Sequence, residues 1–179
     1  CASLDEVWPA NYNSPGQAVV SGAPDAVRAA GEVALERGAK RVLRLPVSGA
    51  FHTPFMAGAA DSLSRALAQV PFAGGREASG GAFFSTTEVR YPEPEELDEV
   101  MAKQLVSPVR FEQSINAILS GADAPDHALE VGPGNVLCGL VKRIKRQLPA
   151  VATADVHALD KALAAVEEAG RVNGEETRT

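Results

Sequence analysis

The stretch Leu45-Pro46-Val47-Ser48-Gly49-Ala50-Phe51-His52-Thr53-Pro54-Phe55-Met56 holds the residue best suited to chemistry in this sequence, His52. It falls between an expected strand end and an expected helix start, the sort of exposed junction where an enzyme can hold a general base. Imidazole titrates near neutrality, so it can take a proton from a nucleophile and return it to a leaving group within one cycle. A lone histidine is more often a capping or hydrogen-bonded structural residue, so His52 needs support from its surroundings. No Gly-x-Ser-x-Gly elbow occurs anywhere in the sequence to give that base a serine. These residues read as half of an active site.

Other reactive side chains are weaker candidates. Cys138 lies in the apolar run Val136-Leu137-Cys138-Gly139-Leu140-Val141, where a buried inert thiol is the simpler reading. His127 and His157 stand at expected strand edges without partners at metal-ligand spacing and receive no role. Gly132-Pro133-Gly134-Asn135 precedes a helical pattern and so suggests phosphate at a helix start. It lacks the Lys-Ser/Thr of a P-loop and the third glycine of a dinucleotide fingerprint, and reads as a structural turn.

Composition sets the frame for these candidates. The 179 residues are 45% hydrophobic and 22% charged, as in a folded globular chain rather than a disordered one. A net charge of −6 argues against a general nucleic-acid binder, which needs a basic excess. No apolar run approaches the roughly 20 residues that span a bilayer, and the start is unlike a secretion signal. Cys1 and Cys138 show no metal spacing, so a reducing, cytoplasmic setting is the simplest. A first residue other than methionine, together with the missing nucleophile, fits an amino-terminal truncation.

The elements that must position His52 follow from periodicity and turn chemistry. Residues 7–13 and 17–22 read as a hairpin around Ser14-Pro15-Gly16. A helix then starts near Pro24, carries Val27, Ala30 and Ala34 inward, and stops at Gly38. Residues 40–46 alternate as a third strand. After His52, Thr53 caps and Pro54 starts a helix with Met56, Ala60, Leu63, Leu67 and Val70 at helical spacing. Residues 71–82 read as a loop and 82–87 as a strand. Helices follow from about Pro94, with Leu97, Val100, Met101 and Leu105, and after Ser107-Pro108, with Phe111, Ile115 and Ile118. A strand at 127–131, a helix through Ile144, a strand at 150–154, a helix at 159–168 and a frayed tail complete the pattern. This alternation implies an α/β fold with a parallel sheet covered on both faces.

Four strings carry a resemblance: Ala10-Asn11-Tyr12-Asn13-Ser14-Pro15-Gly16-Gln17, Leu45 to His52, Gln104-Leu105-Val106-Ser107-Pro108-Val109-Arg110-Phe111, and Glu130-Val131-Gly132-Pro133-Gly134-Asn135-Val136-Leu137. Their order and spacing resemble malonyl-CoA:acyl carrier protein transacylase, over nearly the whole chain to about residue 165. The resemblance implies a large α/β-hydrolase-like subdomain and a small ferredoxin-like one. Residues 1–46 would belong to the small subdomain, 47–168 to the carboxy-terminal part of the large one, and 169–179 to a flexible tail.

The implied reaction moves a malonyl group from coenzyme A to a serine, then to the phosphopantetheine thiol of acyl carrier protein. His52 matches the catalytic histidine. Gln104 matches the glutamine whose backbone carbonyl orients the imidazole, the part a carboxylate plays in a Ser-His-Asp triad. The serine, the oxyanion-hole glutamine and the malonate-binding arginine of the family all precede Cys1, so this chain alone should be silent. Phe51 matches a bulky residue that accompanies malonyl selection, against the alternative that it packs on Met56 and Leu63. Asn11 and Asn13 would lie near the pantetheine arm, against simple turn chemistry.

No cofactor or metal is implied beyond the thioester substrates, and the full-length enzyme would be a monomer that binds malonyl-CoA and acyl carrier protein, with no nucleic acid or membrane. Lys142, Arg143, Lys145 and Arg146 read first as a solvated face at a helix C-terminus and second as a docking patch for that acidic carrier. Two alternatives remain: a fragment of a polyketide synthase acyltransferase domain, and a non-catalytic ferredoxin-like binding module.

Overall fold

A computed structural model describes residues 4–72 and 81–176, with side chains described as far as residue 167. The chain divides into two units, residues 1–114 and 115–179.

In the first unit, strands β1 (Val7–Ser14) and β2 (Gln17–Gly22) pair antiparallel, as the turn residues between them predict. Gly16 takes φ 74°, a left-handed conformation that costs glycine little. Gly22 is confined to glycine by space, because an added Cβ would stand 2.0 Å from the Glu6 carbonyl oxygen. Helix α1 (Pro24–Glu36) opens with proline where an N–H would go unpaired, and Asp25 complements its dipole. It stops before Gly38, at φ 92°. Val27, Ala30 and Ala34 are half-buried around a buried Gly31, on the face the periodicity predicts.

Residues 40–46 do not form the expected third strand. Alternation favours an extended backbone, but a strand exists only through a partner for its N–H and C=O groups, and among the described residues none pairs with it. Val42, Leu43 and Leu45 are exposed. The segment touches α1 by side chain instead, with Val42 Cγ1 3.0 Å from where a Gly31 Cβ would stand. Residues 82–87 likewise fall short of a strand. Among the described residues only Ser85 makes a strand-type bridge, antiparallel to Arg90 across a turn that carries Val89 at φ 58°. Residues 73–80 of the expected loop lie outside the described residues.

The helices that flank the site match the sequence pattern closely. A 3₁₀ turn, Pro54–Met56, leads into α2 (Ala57–Leu67). A second, Pro94–Glu96, leads into α3 (Leu97–Lys103), which ends in a third, Gln104–Val106, before α4 (Phe111–Leu119). Helix α2 packs on α3 and on the turn Gln104–Val106, burying Ala60, Val100 and Ala102. That contact brings the start of α2 to the end of α3.

In the second unit, β3 (Ala128–Glu130) and β4 (Ala150–Ala152) pair in parallel, with α5 (Val136–Ile144) between them in sequence and packed on both. Among the described residues of this unit, Leu140, Val141 and Ala162 are the buried hydrophobic ones. Among the described residues this is the single parallel strand pair, beside one isolated parallel bridge between Asn11 and Val109, so the expected parallel sheet is represented here by two strands. Helix α6 (Val156–Glu176) runs past the expected end at Glu168, making residues 169–176 of the expected tail helical. No proline interrupts it, and it runs through Gly170 as well as Gly174, glycines that weaken a helix without ending it.

Candidate active site

His52 has φ 63°, a left-handed conformation that costs a residue with a Cβ and persists only where its surroundings fix it. Two consecutive carbonyls do so. The His52 backbone N–H donates to Leu105 O at 3.0 Å, and ring atom Nδ1 lies 2.8 Å from Gln104 O. Both carbonyls belong to the last turn of a helical segment, where C=O groups lack intrahelical partners and can accept from elsewhere.

The turn around His52 is closed by its neighbour. Thr53 has no exposed surface; its hydroxyl donates to Ala50 O at 2.6 Å and accepts from the Phe55 N–H at 3.3 Å. It is the helix cap expected at this position. From β1, Trp8 meets Phe55 edge-on, with ring centres 5.1 Å apart.

A carbonyl can only accept, so Nδ1 of His52 carries the hydrogen and the neutral ring keeps its lone pair on Nε2. That is the tautomer of a general base whose working nitrogen is Nε2. The segment that supplies the carbonyls is itself pinned downstream. Val109 N–H donates to Ala10 O and Tyr12 N–H to Val109 O, both at 2.8 Å, while Arg110 N–H donates to Thr86 O at 2.7 Å.

The structure therefore brings His52 and Gln104 together. Asn11 and Asn13 are half-buried on β1, and Asn11 is the residue bridged to Val109, so its strand is tied to the segment that holds His52. Among the described residues no hydrogen bond joins either asparagine to His52. Phe51 is exposed, and its ring lies over Gly49, where an added Cβ would stand 3.2 Å from Phe51 Cε2. Sequence reasoning missed the Leu105 carbonyl, since a backbone acceptor leaves no mark on residue type. It also missed the Trp8–Phe55 contact, for which an aromatic on β1 was the only signal.

The acyl transferase domain family model matches residues 1–169. The chain belongs to the acyl transferase family. A malonyl CoA-acyl carrier protein transacylase of Bacillus subtilis (strain 168) is 38% identical over 159 residues, covering 89% of this chain and 49% of that protein. The crystal structure of MCAT from Streptococcus pneumoniae superimposes with TM-score 0.81 at 35% identity, over 89% of this chain and 50% of that one. A holo type II PKS acyl-carrier protein in complex with its malonyl-transacylase gives TM-score 0.81 at 36% identity, over 88% and 50%. The chain spans about half the length of the curated relatives it matches.

In this acyl transferase chain the remaining candidates resolve into structural parts. The Glu130 carboxylate accepts from the N–H groups of Leu137 at 3.1 Å and Cys138 at 2.8 Å, which holds its carboxyl below the usual range. The start of α5 thus already carries an anion, and Gly132 and Gly134, at φ 127° and 98°, make the turn that delivers it. The expected structural reading of that turn holds. Burial first, then the Glu130 charge, pushes the Cys138 thiol up, so it is a poor nucleophile. Lys142 and Arg143 lie in the last turn of α5, where they complement its dipole. Among the described residues no cluster of three or more His, Cys, Asp and Glu could hold a metal, and no helix is long and apolar enough to cross a membrane.

Proposed function

We propose that this chain supplies the histidine half of a malonyl-CoA:acyl carrier protein transacylase. The observation that carries it is the 2.8 Å contact between His52 Nδ1 and Gln104 O, which leaves Nε2 as the proton acceptor. The names of the relatives, and the carrier protein bound in one neighbour, support this reading.

In the proposed reaction, Nε2 of His52 takes the hydroxyl proton of a serine as the serine oxygen attacks the malonyl thioester carbonyl. The carbon–sulfur bond breaks and the imidazolium protonates the departing coenzyme A thiolate. In the second half Nε2 takes the proton from the phosphopantetheine thiol, whose sulfur attacks the acyl-serine. The imidazolium then returns a proton to the serine oxygen. The Gln104 carbonyl fixes the tautomer without placing a second anion beside the malonate carboxylate, and it stabilises imidazolium less than a carboxylate does.

The serine belongs, in this reading, to the part of the relatives that the chain does not span. The chain alone is therefore inactive. Phe51 crowds an α-methyl branch and so favours malonyl, while Asn11 and Asn13 line the path of the pantetheine arm. Residues 1–46 belong to a ferredoxin-like subdomain and 47–168 to a hydrolase-like one. The full enzyme is a cytoplasmic monomer that needs no cofactor.

The test joins the serine-bearing half of the Bacillus subtilis relative to this chain and follows malonyl transfer from malonyl-CoA to holo acyl carrier protein. Transfer by the joined enzyme, and none by this chain alone, supports the reading. A joined enzyme that folds and forms acyl-serine with no better rate than the serine half alone sinks it.

A further inference from the structure

Both carbonyls that hold His52 sit immediately after Lys103, the last residue of α3. Their direction therefore depends on how that helix end is held. Lys103 Nζ is bonded to Glu88 Oε1 at 2.7 Å, and Glu88 also pairs with Arg90 at 2.6 Å. Arg90 reaches the other end of α3, with a two-pronged contact to Glu96 at 2.7 and 2.8 Å. The turn Ser85–Arg90 thus grips α3 at both ends.

That turn is itself firm. Ser85 is fully buried and bridged to Arg90, and its Oγ accepts from the Glu88 N–H at 3.2 Å. The Glu88 side chain is only 16% exposed, while Lys103 comes in from solvent at 51%. The Lys103 hydrogen bond above all holds the Glu88 carboxyl below its ordinary range.

We propose that Glu88 is a positioning residue for His52, acting through Lys103 on the consecutive carbonyls of Gln104 and Leu105. The proposal rests on the reading of His52 as the general base, but its test does not depend on activity.

The measurement is nitrogen-15 NMR of histidine-labelled chain, following solvent exchange of the His52 Nδ1–H and the ring tautomer. Glu88→Gln and Lys103→Gln should each speed that exchange by between about twofold and thirtyfold, the range of mutational coupling through a packed network. The double variant should be no worse than the singles, because both remove one link. Asp25→Asn, which breaks the exposed Asp25–Arg28 pair on α1, is the control for loss of any ion pair and should leave the signal unchanged. Backbone amide spectra confirm that each variant is folded. Glu88→Gln with wild-type exchange and tautomer in a folded chain overturns the proposal, as does an equal change in Asp25→Asn. Failure of the base assignment would show elsewhere, as unchanged transfer in His52→Ala of the joined enzyme.

Discussion

His52 and Gln104 stand 52 residues apart in sequence, and a 2.8 Å contact from ring nitrogen to backbone carbonyl joins them. The acceptor is not a side chain. Gln104→Ala should therefore keep the Nδ1 hydrogen bond, and in the joined enzyme kcat should stay within about threefold, since a retained contact costs little of the 10²–10⁴ that general acid–base catalysis supplies. A loss of a hundredfold would mean that the glutamine amide itself takes part.

Thr53 is the second support of the histidine turn. Thr53→Val removes the hydroxyl that serves both Ala50 and Phe55 and leaves a part-buried carbonyl unpaired, a loss of about 1–3 kcal/mol in urea unfolding. Thr53→Ser should recover most of it. A loss in Thr53→Ser with none in Thr53→Val would assign the effect to packing of the methyl group instead.

Acid should reach the grip on α3 late. Arg90 first, then the Glu93 N–H, lowers the Glu96 carboxyl to about 2 from an ordinary 4.5. A depressed folded value means that the pair contributes stability above pH 4.5 and loses it as pH falls toward 2. A carboxyl titration followed by carbon-13 NMR should find Glu96 still ionised at pH 3.5; a midpoint near 4.5 would contradict the two-pronged contact.

Phe51 leans on Gly49, so the smaller residue sets where the ring can sit. Gly49→Ala should displace it without altering its size. In the joined enzyme this change and Phe51→Ala should both raise methylmalonyl transfer relative to malonyl, by at most the roughly 10–200-fold that one methyl group commands. No shift in either ratio would leave Phe51 a packing residue.

Cys138 should alkylate more slowly than a free thiol at pH 8, when the modified peptide is followed by mass spectrometry, because burial and the Glu130 charge disfavour its thiolate. Glu130→Gln should speed it. It should also weaken α5, whose first N–H groups lose their carboxylate.

Local chemistry explains which parts were legible in the sequence. Thr53-Pro54 and Pro24 with Gly38 mark helix ends through interactions within a few residues, and the structure places those ends where the residues predict. The segments 40–46 and 82–87 were misread because a strand depends on a partner that periodicity does not reveal. Helix α6 outran its expected end because it has no proline and Gly170 weakens the helix without stopping it. At the site, turn chemistry and imidazole made His52 visible. Its acceptor was legible only through resemblance, since a helix-end carbonyl can come from any residue. The Glu88–Lys103 link was hidden for a different reason: fifteen residues separate two charges that look like any solvated pair.

The decisive measurement is single-turnover formation of malonyl-serine by the joined enzyme with His52 intact and with His52→Ala. Substitution should slow acylation on the order of 10²–10⁴-fold while malonyl-CoA binding holds. Acylation within a few-fold of the unsubstituted enzyme would show that the base lies elsewhere.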